Sequence, residues 1–136
     1  MEFNYKKFVT SNGAVLRPVI PVKLKSASES FDYEVLVDSG ADICIFHSEI
    51  GELLGINVPK GKPREVFGVG VKASIYYLHK ITIEVGRWSY NVEVGFMPSV
   101  SGHAMRHGIV GQKGFFDNFI VKFDLLKEEI ELKLRK

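Results

Sequence analysis

Tyr33-Glu34-Val35-Leu36-Val37-Asp38-Ser39-Gly40-Ala41 is the stretch that decides the fold of this 136-residue chain. Its apolar run, Val35 to Val37, is typical of a buried strand. The Ser39-Gly40 pair is a turn signal and stops the strand directly after Asp38. The stretch therefore predicts a carboxylate at the end of a strand, at the mouth of an apolar core.

Most of the chain consists of short runs rich in Val, Ile, Tyr and Phe, separated by Gly, Pro, Ser and Asn. This pattern predicts an all-β domain. Ile81, Ile83 and Val85 alternate with polar residues, which indicates a strand with one buried face. The predicted strands are residues 14–24, 32–37, 64–67, 74–85, 90–95, 108–110, 119–124 and 130–134.

Two short helical segments interrupt the strands in this prediction. Residues 48–54 form the first, with Ser48 as N-cap and Gly55 as the C-terminal stop. A turn or two of helix is expected over residues 112–118. No repeat, low-complexity tract or linker divides the sequence, so we predict a single domain over residues 1–136.

Charge and cysteine content exclude several classes of protein. Eighteen basic and sixteen acidic residues give a formal charge of +2, too balanced for a nucleic-acid surface or a polybasic membrane patch. Cys44 is the only cysteine and cannot form an internal disulfide, which fits a reducing cytoplasm. The sequence has neither a signal peptide nor an apolar run of roughly 20 residues. We expect a cytoplasmic protein with no membrane segment and no nucleic-acid partner, and leave a larger precursor open.

Three other chemical signals are weak. Residues 68–73 match the dinucleotide fingerprint Gly-x-Gly-x-x-[Gly/Ala], but a strand follows where a helix should open. His103 and His107 have the spacing of a helical metal pair, yet Ala104 replaces the glutamate of that motif. Cys44 lies in an apolar run, which is typical of a buried inert thiol. We predict no metal and no cofactor.

The sequence around Asp38 resembles the active-site signature of the retropepsin-like aspartic proteases, apolar-apolar-Asp-[Ser/Thr]-Gly-Ala. Taken alone, an Asp before Ser-Gly is also typical of an ordinary Asx turn. Two further elements follow in the family's order. With them the resemblance extends over residues 14–134, and it is closest to the microbial and cellular branch of the family. They are a hairpin flap, Phe67, Gly68, Val69, Gly70 and Val71, and a loop-supporting strand, Ile109, Val110 and Gly111.

The resemblance implies a closed acid-protease β-barrel whose subunits form a two-fold homodimer. The chain holds a single Asp-[Ser/Thr]-Gly, so each subunit would supply one Asp38 to a shared site. Ser39 would carry hydrogen bonds between the subunits, with Gly40 and Ala41 completing the active-site loop together with Asp42.

Two finer features bear on the retroviral branch. Arg17 would pair with Asp42 of the opposite chain, although a solvated arginine and an Asx-turn aspartate explain the same residues equally well. Gln112 stands where retroviral chains usually have arginine, which weakens the transfer of their interface details.

The family's reaction needs two carboxylates. One ionised aspartate activates a water and a protonated one polarises the scissile carbonyl. Two charges about 3 Å apart repel by roughly 5 kcal/mol at an effective dielectric near 20, so the pair retains a shared proton. The predicted function is that of an aspartic endopeptidase acting on extended peptides, and the alternative is a non-catalytic peptide-binding or dimer-scaffold module.

Overall fold

The computed structural model describes residues 1–66, 74–98 and 107–135. Strands dominate this part of the chain, as predicted. One helix, α1, spans Ser48–Leu53, and a 3-10 helix spans Val58–Lys60. The strands are β1 Glu2–Asn4, β2 Lys6–Thr10, β3 Gly13–Arg17, β4 Val19–Lys25, β5 Ser30–Val37, β6 Ile45–His47, β7 Lys62–Val66, β8 Ser74–Val85, β9 Trp88–Met97, β10 Gly108–Val110, β11 Phe119–Asp124 and β12 Glu129–Leu134.

Six strands close into a barrel in the order β4, β5, β10, β6, β9 and β8. The ring is completed by an antiparallel pairing of β4 with β8, in which Leu24 lies opposite Ile83. Strand β10 is central to the site because it runs parallel to β5 on one side and antiparallel to β6 on the other. Strand β7 pairs with the first half of β8, from Lys62 opposite Leu78 to Val66 opposite Ser74. The prediction of a closed all-β barrel is confirmed.

The core fills this barrel with alternate side chains of its strands. Ile81, Ile83 and Val85 of β8 are buried, which confirms the predicted alternation. Phe46 and Phe96 are fully buried, and their ring centroids lie 6.0 Å apart. Burial of a large apolar side chain contributes roughly 1.5–3 kcal/mol, so these positions hold the strands that carry the loop after β5.

Two smaller sheets lie outside the ring. Strands β1, β12 and β11 form one, and Phe3 of β1 lies opposite Ile130 of β12. Strands β2 and β3 form a separate hairpin, and Gly13, the first residue of β3 after the turn, has a φ of 108°. Neither β1 nor β2 is predicted from the sequence.

Several predicted boundaries are wrong. The predicted strand 14–24 is two strands separated at Pro18, because β3 pairs with β2 whereas β4 pairs with β5. Strand β6 is missing from the prediction. The N-cap of α1 is His47 rather than Ser48, since the His47 Nδ1 accepts a hydrogen bond from the Glu49 amide at 3.0 Å. Gly55, with a φ of 77°, follows the helix as predicted.

Residues 112–118 form consecutive turns instead of the predicted helix. The amides of Phe116 and Asp117 donate to carbonyls five residues earlier. Gly114 has a φ of 101°, and its amide donates to the Asp117 carboxylate at 2.9 Å. A positive φ and a local side-chain bond both compete with helical geometry.

Neither helix in the described residues is long and apolar enough to cross a membrane. Across these same residues, no group of three or more His, Cys, Asp or Glu side chains is arranged to hold a metal ion.

Candidate active site

Asp38 directly follows the last residue of β5 and is anchored to β10. Strands β5 and β10 pair in parallel, with Val37 opposite Val110. The Asp38 amide donates to the Val110 carbonyl oxygen at 3.0 Å. One residue earlier, the Val37 amide donates to the Pro18 carbonyl oxygen at 2.9 Å. The backbone carrying the carboxylate is therefore fixed from two sides at the end of a buried strand.

The loop after Asp38 folds back on its side chain. The Gly40 amide donates to Asp38 Oδ1 at 2.9 Å, and the Ala41 amide donates to the Asp38 carbonyl oxygen at 3.2 Å. Asp38 is half-buried while Ser39 and Gly40 are exposed. A Cβ added at Gly40 would lie 3.2 Å from Asp38 Oδ1, so glycine allows this close approach. The turn is an Asx turn, and it leaves the carboxylate within reach of solvent.

Gly111 passes directly beside this loop. A Cβ placed on Gly111 would lie 2.4 Å from the carbonyl oxygen of Ala41 and 2.6 Å from that of Ile43. The next two amides, of Gln112 and Lys113, donate to the Ala41 and Asp42 carbonyl oxygens at 2.8 and 2.9 Å. The structure thus brings the predicted loop-supporting residues against the predicted active-site loop.

The side chain of Gln112 adds a contact that the sequence analysis misses. Its Nε2 atom donates to the Ser39 carbonyl oxygen at 2.9 Å. Ser39 lies 73 positions earlier in the chain. The only sequence signal at this position is the departure from the arginine of retroviral chains.

The family profile described as Aspartyl protease matches residues 20–113, more than half of the chain. This chain belongs to the aspartyl protease family. The matched range contains both Asp38 and Gly111, the two residues around which the loop is built. No significant match was found among curated protein sequences.

Solved structures of retropepsin-like proteins share the fold of this aspartyl protease family member. A retropepsin-like aspartic protease from Rickettsia conorii matches with a TM-score of 0.62 and 13% identity, over 96% of this chain and 97% of the other. The retroviral protease-like domain of Ddi1 from Leishmania major matches with a TM-score of 0.61 and 16% identity, over 88% and 90% of the two chains. The retropepsin-like fold predicted from the residues around Asp38 is confirmed.

In this aspartyl protease family member, Arg17 and Asp42 do not form an ion pair within one chain, as far as the described residues go. The Arg17 guanidinium carbon lies 5.2 Å from the centroid of the Phe8 ring, and Asp42 is exposed. The predicted contact joins opposite chains, so it stays a prediction. The predicted flap, Phe67 to Val71, lies outside the described residues.

Cys44 lies two residues after the loop, and its environment suppresses the reactivity of its thiol. The side chain is fully buried, and burial raises the pKa of the thiol from 9.0 to about 11. Its Sγ donates to the Lys113 carbonyl oxygen at 3.6 Å. A neutral buried thiol is a poor nucleophile.

Proposed function

We propose that this protein is an aspartic endopeptidase in which two copies of the chain each supply Asp38 to one shared site. The observation that carries the proposal is the Asp38 loop itself. Its carboxylate is half-buried at the end of β5, held at Oδ1 by the Gly40 amide, and supported from behind by Gly111. Membership of the aspartyl protease family supports the assignment.

The other aspartates support a second copy as the source of the second carboxylate. Asp32 lies on β5 and pairs with Lys23 at 3.3 Å. The side chains of Asp117 and Asp124 accept local amides of Gly114 and Lys127 at 2.9 and 3.1 Å. Asp42 points to solvent from the same loop. None of these four aspartates has a setting like that of Asp38. The simplest source of the second catalytic carboxylate is therefore Asp38 of a second copy, related to the first by a two-fold axis.

The dyad would work through a water molecule held between the two carboxyl groups. The ionised Asp38 removes a proton from the water as it attacks the scissile carbonyl carbon, while the protonated Asp38 of the other copy donates to the carbonyl oxygen. The tetrahedral intermediate then collapses, the C–N bond breaks, and a carboxyl group returns a proton to the leaving amine.

The substrate in this proposal is an extended peptide. Its backbone would add to strand edges, and alternate side chains would enter apolar pockets. Residues 67–71 would close over the peptide as a flap. They lie in the chain between β7 and β8, which pair as an antiparallel hairpin. The Ser39 hydroxyl and the Arg17–Asp42 pair would join the two copies near the site.

The experiment is peptide cleavage with a matched pair of variants. Purified wild type, Asp38→Asn and Asp32→Asn are incubated with a diverse peptide library from pH 3 to pH 8. We expect Asp38→Asn to lose roughly 10²–10⁴ of the rate, while Asp32→Asn, the same change on the surface of the same strand, keeps it. Equal cleavage by wild type and Asp38→Asn would refute the mechanism. A confirmed dimer without cleavage would favour the peptide-binding or scaffold module.

A further inference from the structure

One peptide group in the active-site loop is held at both ends. The carbonyl oxygen of Ser39 accepts a hydrogen bond of 2.9 Å from Gln112 Nε2. The amide of the same peptide group, on Gly40, donates to Asp38 Oδ1, also at 2.9 Å. Gln112 and the Asp38 carboxylate are therefore linked through a single planar unit.

The planarity of the peptide group couples the two hydrogen bonds, because neither end of the group can rotate without the other. Its C=O and N–H bonds lie in one plane and point in opposite directions in the trans form. A rotation that swings the Gly40 amide away from Asp38 also swings the Ser39 oxygen away from Gln112. Hydrogen bonds in such a chain polarise one another, so each bond strengthens the other.

The backbone at Gln112 is held firmly against the active-site loop. Its own amide donates to the Ala41 carbonyl oxygen at 2.8 Å. Gly111 before it is buried and wedged against the carbonyl oxygens of Ala41 and Ile43. By contrast, Ser39 and Gly40 are exposed, and no other described residue donates to the Ser39 oxygen. Among the described residues, the side chain of Gln112 bonds this exposed part of the loop from outside it, in addition to the loop's own bonds to Asp38.

We propose that Gln112 is a positioning residue, which orients the Asp38 carboxylate through the Ser39–Gly40 peptide group. The inference rests on the proposed function and deepens it by adding a residue that acts through the peptide group and not on the reacting atoms. The Gly40 amide holds Asp38 Oδ1 in one orientation. Loss of the restraint at Gln112 therefore frees the orientation of the carboxylate and slows its removal of a proton from the water.

The test uses a near-isosteric change that removes the side-chain amide and with it the donor to Ser39. Gln112→Met keeps the length of the side chain, and Asn91→Leu is the matched control, an exposed amide on β9 bonded to Thr82. We expect Gln112→Met to lower kcat about three- to tenfold, the size of one neutral hydrogen bond, with KM changed less than twofold. Asn91→Leu should match wild type in both kcat and KM.

An unchanged kcat in Gln112→Met, with the protein folded as wild type, would overturn the positioning role.

A second measurement needs no peptidase activity. Hydrogen exchange of the Gly40 amide, followed by NMR, should accelerate about three- to tenfold in Gln112→Met and stay unchanged in Asn91→Leu. Equal Gly40 exchange in wild type and Gln112→Met would overturn the inference whether or not the protein cleaves peptides. Failure of cleavage in the wild type counts only against the proposed function, so the two ideas are tested separately.

Discussion

The Asp38 amide donates to the carbonyl oxygen of Val110 over 3.0 Å, which ties the loop to the last residue of β10. Strand β10 lies between β5 and β6 inside the closed barrel. The loop is therefore positioned by a strand that is paired on both sides, and not by an edge strand. A carboxylate held this way is preorganised before any substrate binds.

Gly111→Ala should be strongly destabilising. The new Cβ would lie 2.4 Å from one backbone oxygen and 2.6 Å from another, and neither can move without disturbing the loop. We expect a loss of about 3 kcal/mol in the free energy of unfolding, measured by urea denaturation.

Gly13→Ala is the control for Gly111→Ala. Gly13 has a φ of 108°, but a Cβ there meets no atom within 4 Å. Its cost should be only the backbone strain, about 1–2 kcal/mol. If the two variants lose the same stability, close packing at Gly111 does not hold the loop.

Stability should fall at alkaline pH through Cys44. Burial raises the pKa of this thiol in the folded state from 9.0 to about 11. The unfolded thiol ionises first, so its contribution is complete below about pH 9 and is lost as the pH rises towards 11. At about pH 11 the free energy of unfolding should be about 2 kcal/mol lower than it is below pH 9.

Urea denaturation of wild type and Cys44→Ala between pH 8 and pH 11 measures this effect. The alanine variant starts less stable because it leaves a cavity, but its stability should fall less steeply with pH. Parallel curves for the two proteins would show that the thiol is not the titrating group.

Tyr90→Phe should stabilise the protein. The Tyr90 hydroxyl is buried and has no hydrogen-bond partner among the described residues, while the ring packs 5.9 Å from that of Phe119. Removing an unsatisfied buried hydroxyl and keeping the ring should raise the free energy of unfolding by about 1 kcal/mol. Tyr33→Phe is the control. Tyr33 is half-buried, and its hydroxyl is not among the buried polar atoms that lack a hydrogen-bond partner. A thermal shift as large in Tyr33→Phe as in Tyr90→Phe would contradict this interpretation.

The local features of the site follow from the sequence. An apolar run before Asp38 and a Ser-Gly turn after it predict the end of β5, because both signals act over a few residues. The alternation in β8 has the same local origin. Gly55 ends α1 as expected, since a positive φ is a property of the residue itself.

Features that depend on distant partners escape the sequence. The short strand β1 forms by pairing with β12, at the other end of the chain. The charged strand β2 forms only against β3. The bond from Gln112 to Ser39 joins residues 73 positions apart, and no periodic pattern encodes it. Tertiary pairing decides these elements, as it commonly overrides local propensity.

The most direct test of a site shared by two copies of Asp38 mixes active and inactive subunits. Wild type and Asp38→Asn are combined in equal amounts, exchanged to random pairing, and assayed for peptide cleavage at constant total protein. A shared dyad leaves about a quarter of the dimers with two aspartates, so activity should fall to about a quarter of that of wild type. Activity of about one half, proportional to the wild-type fraction, would contradict the shared site.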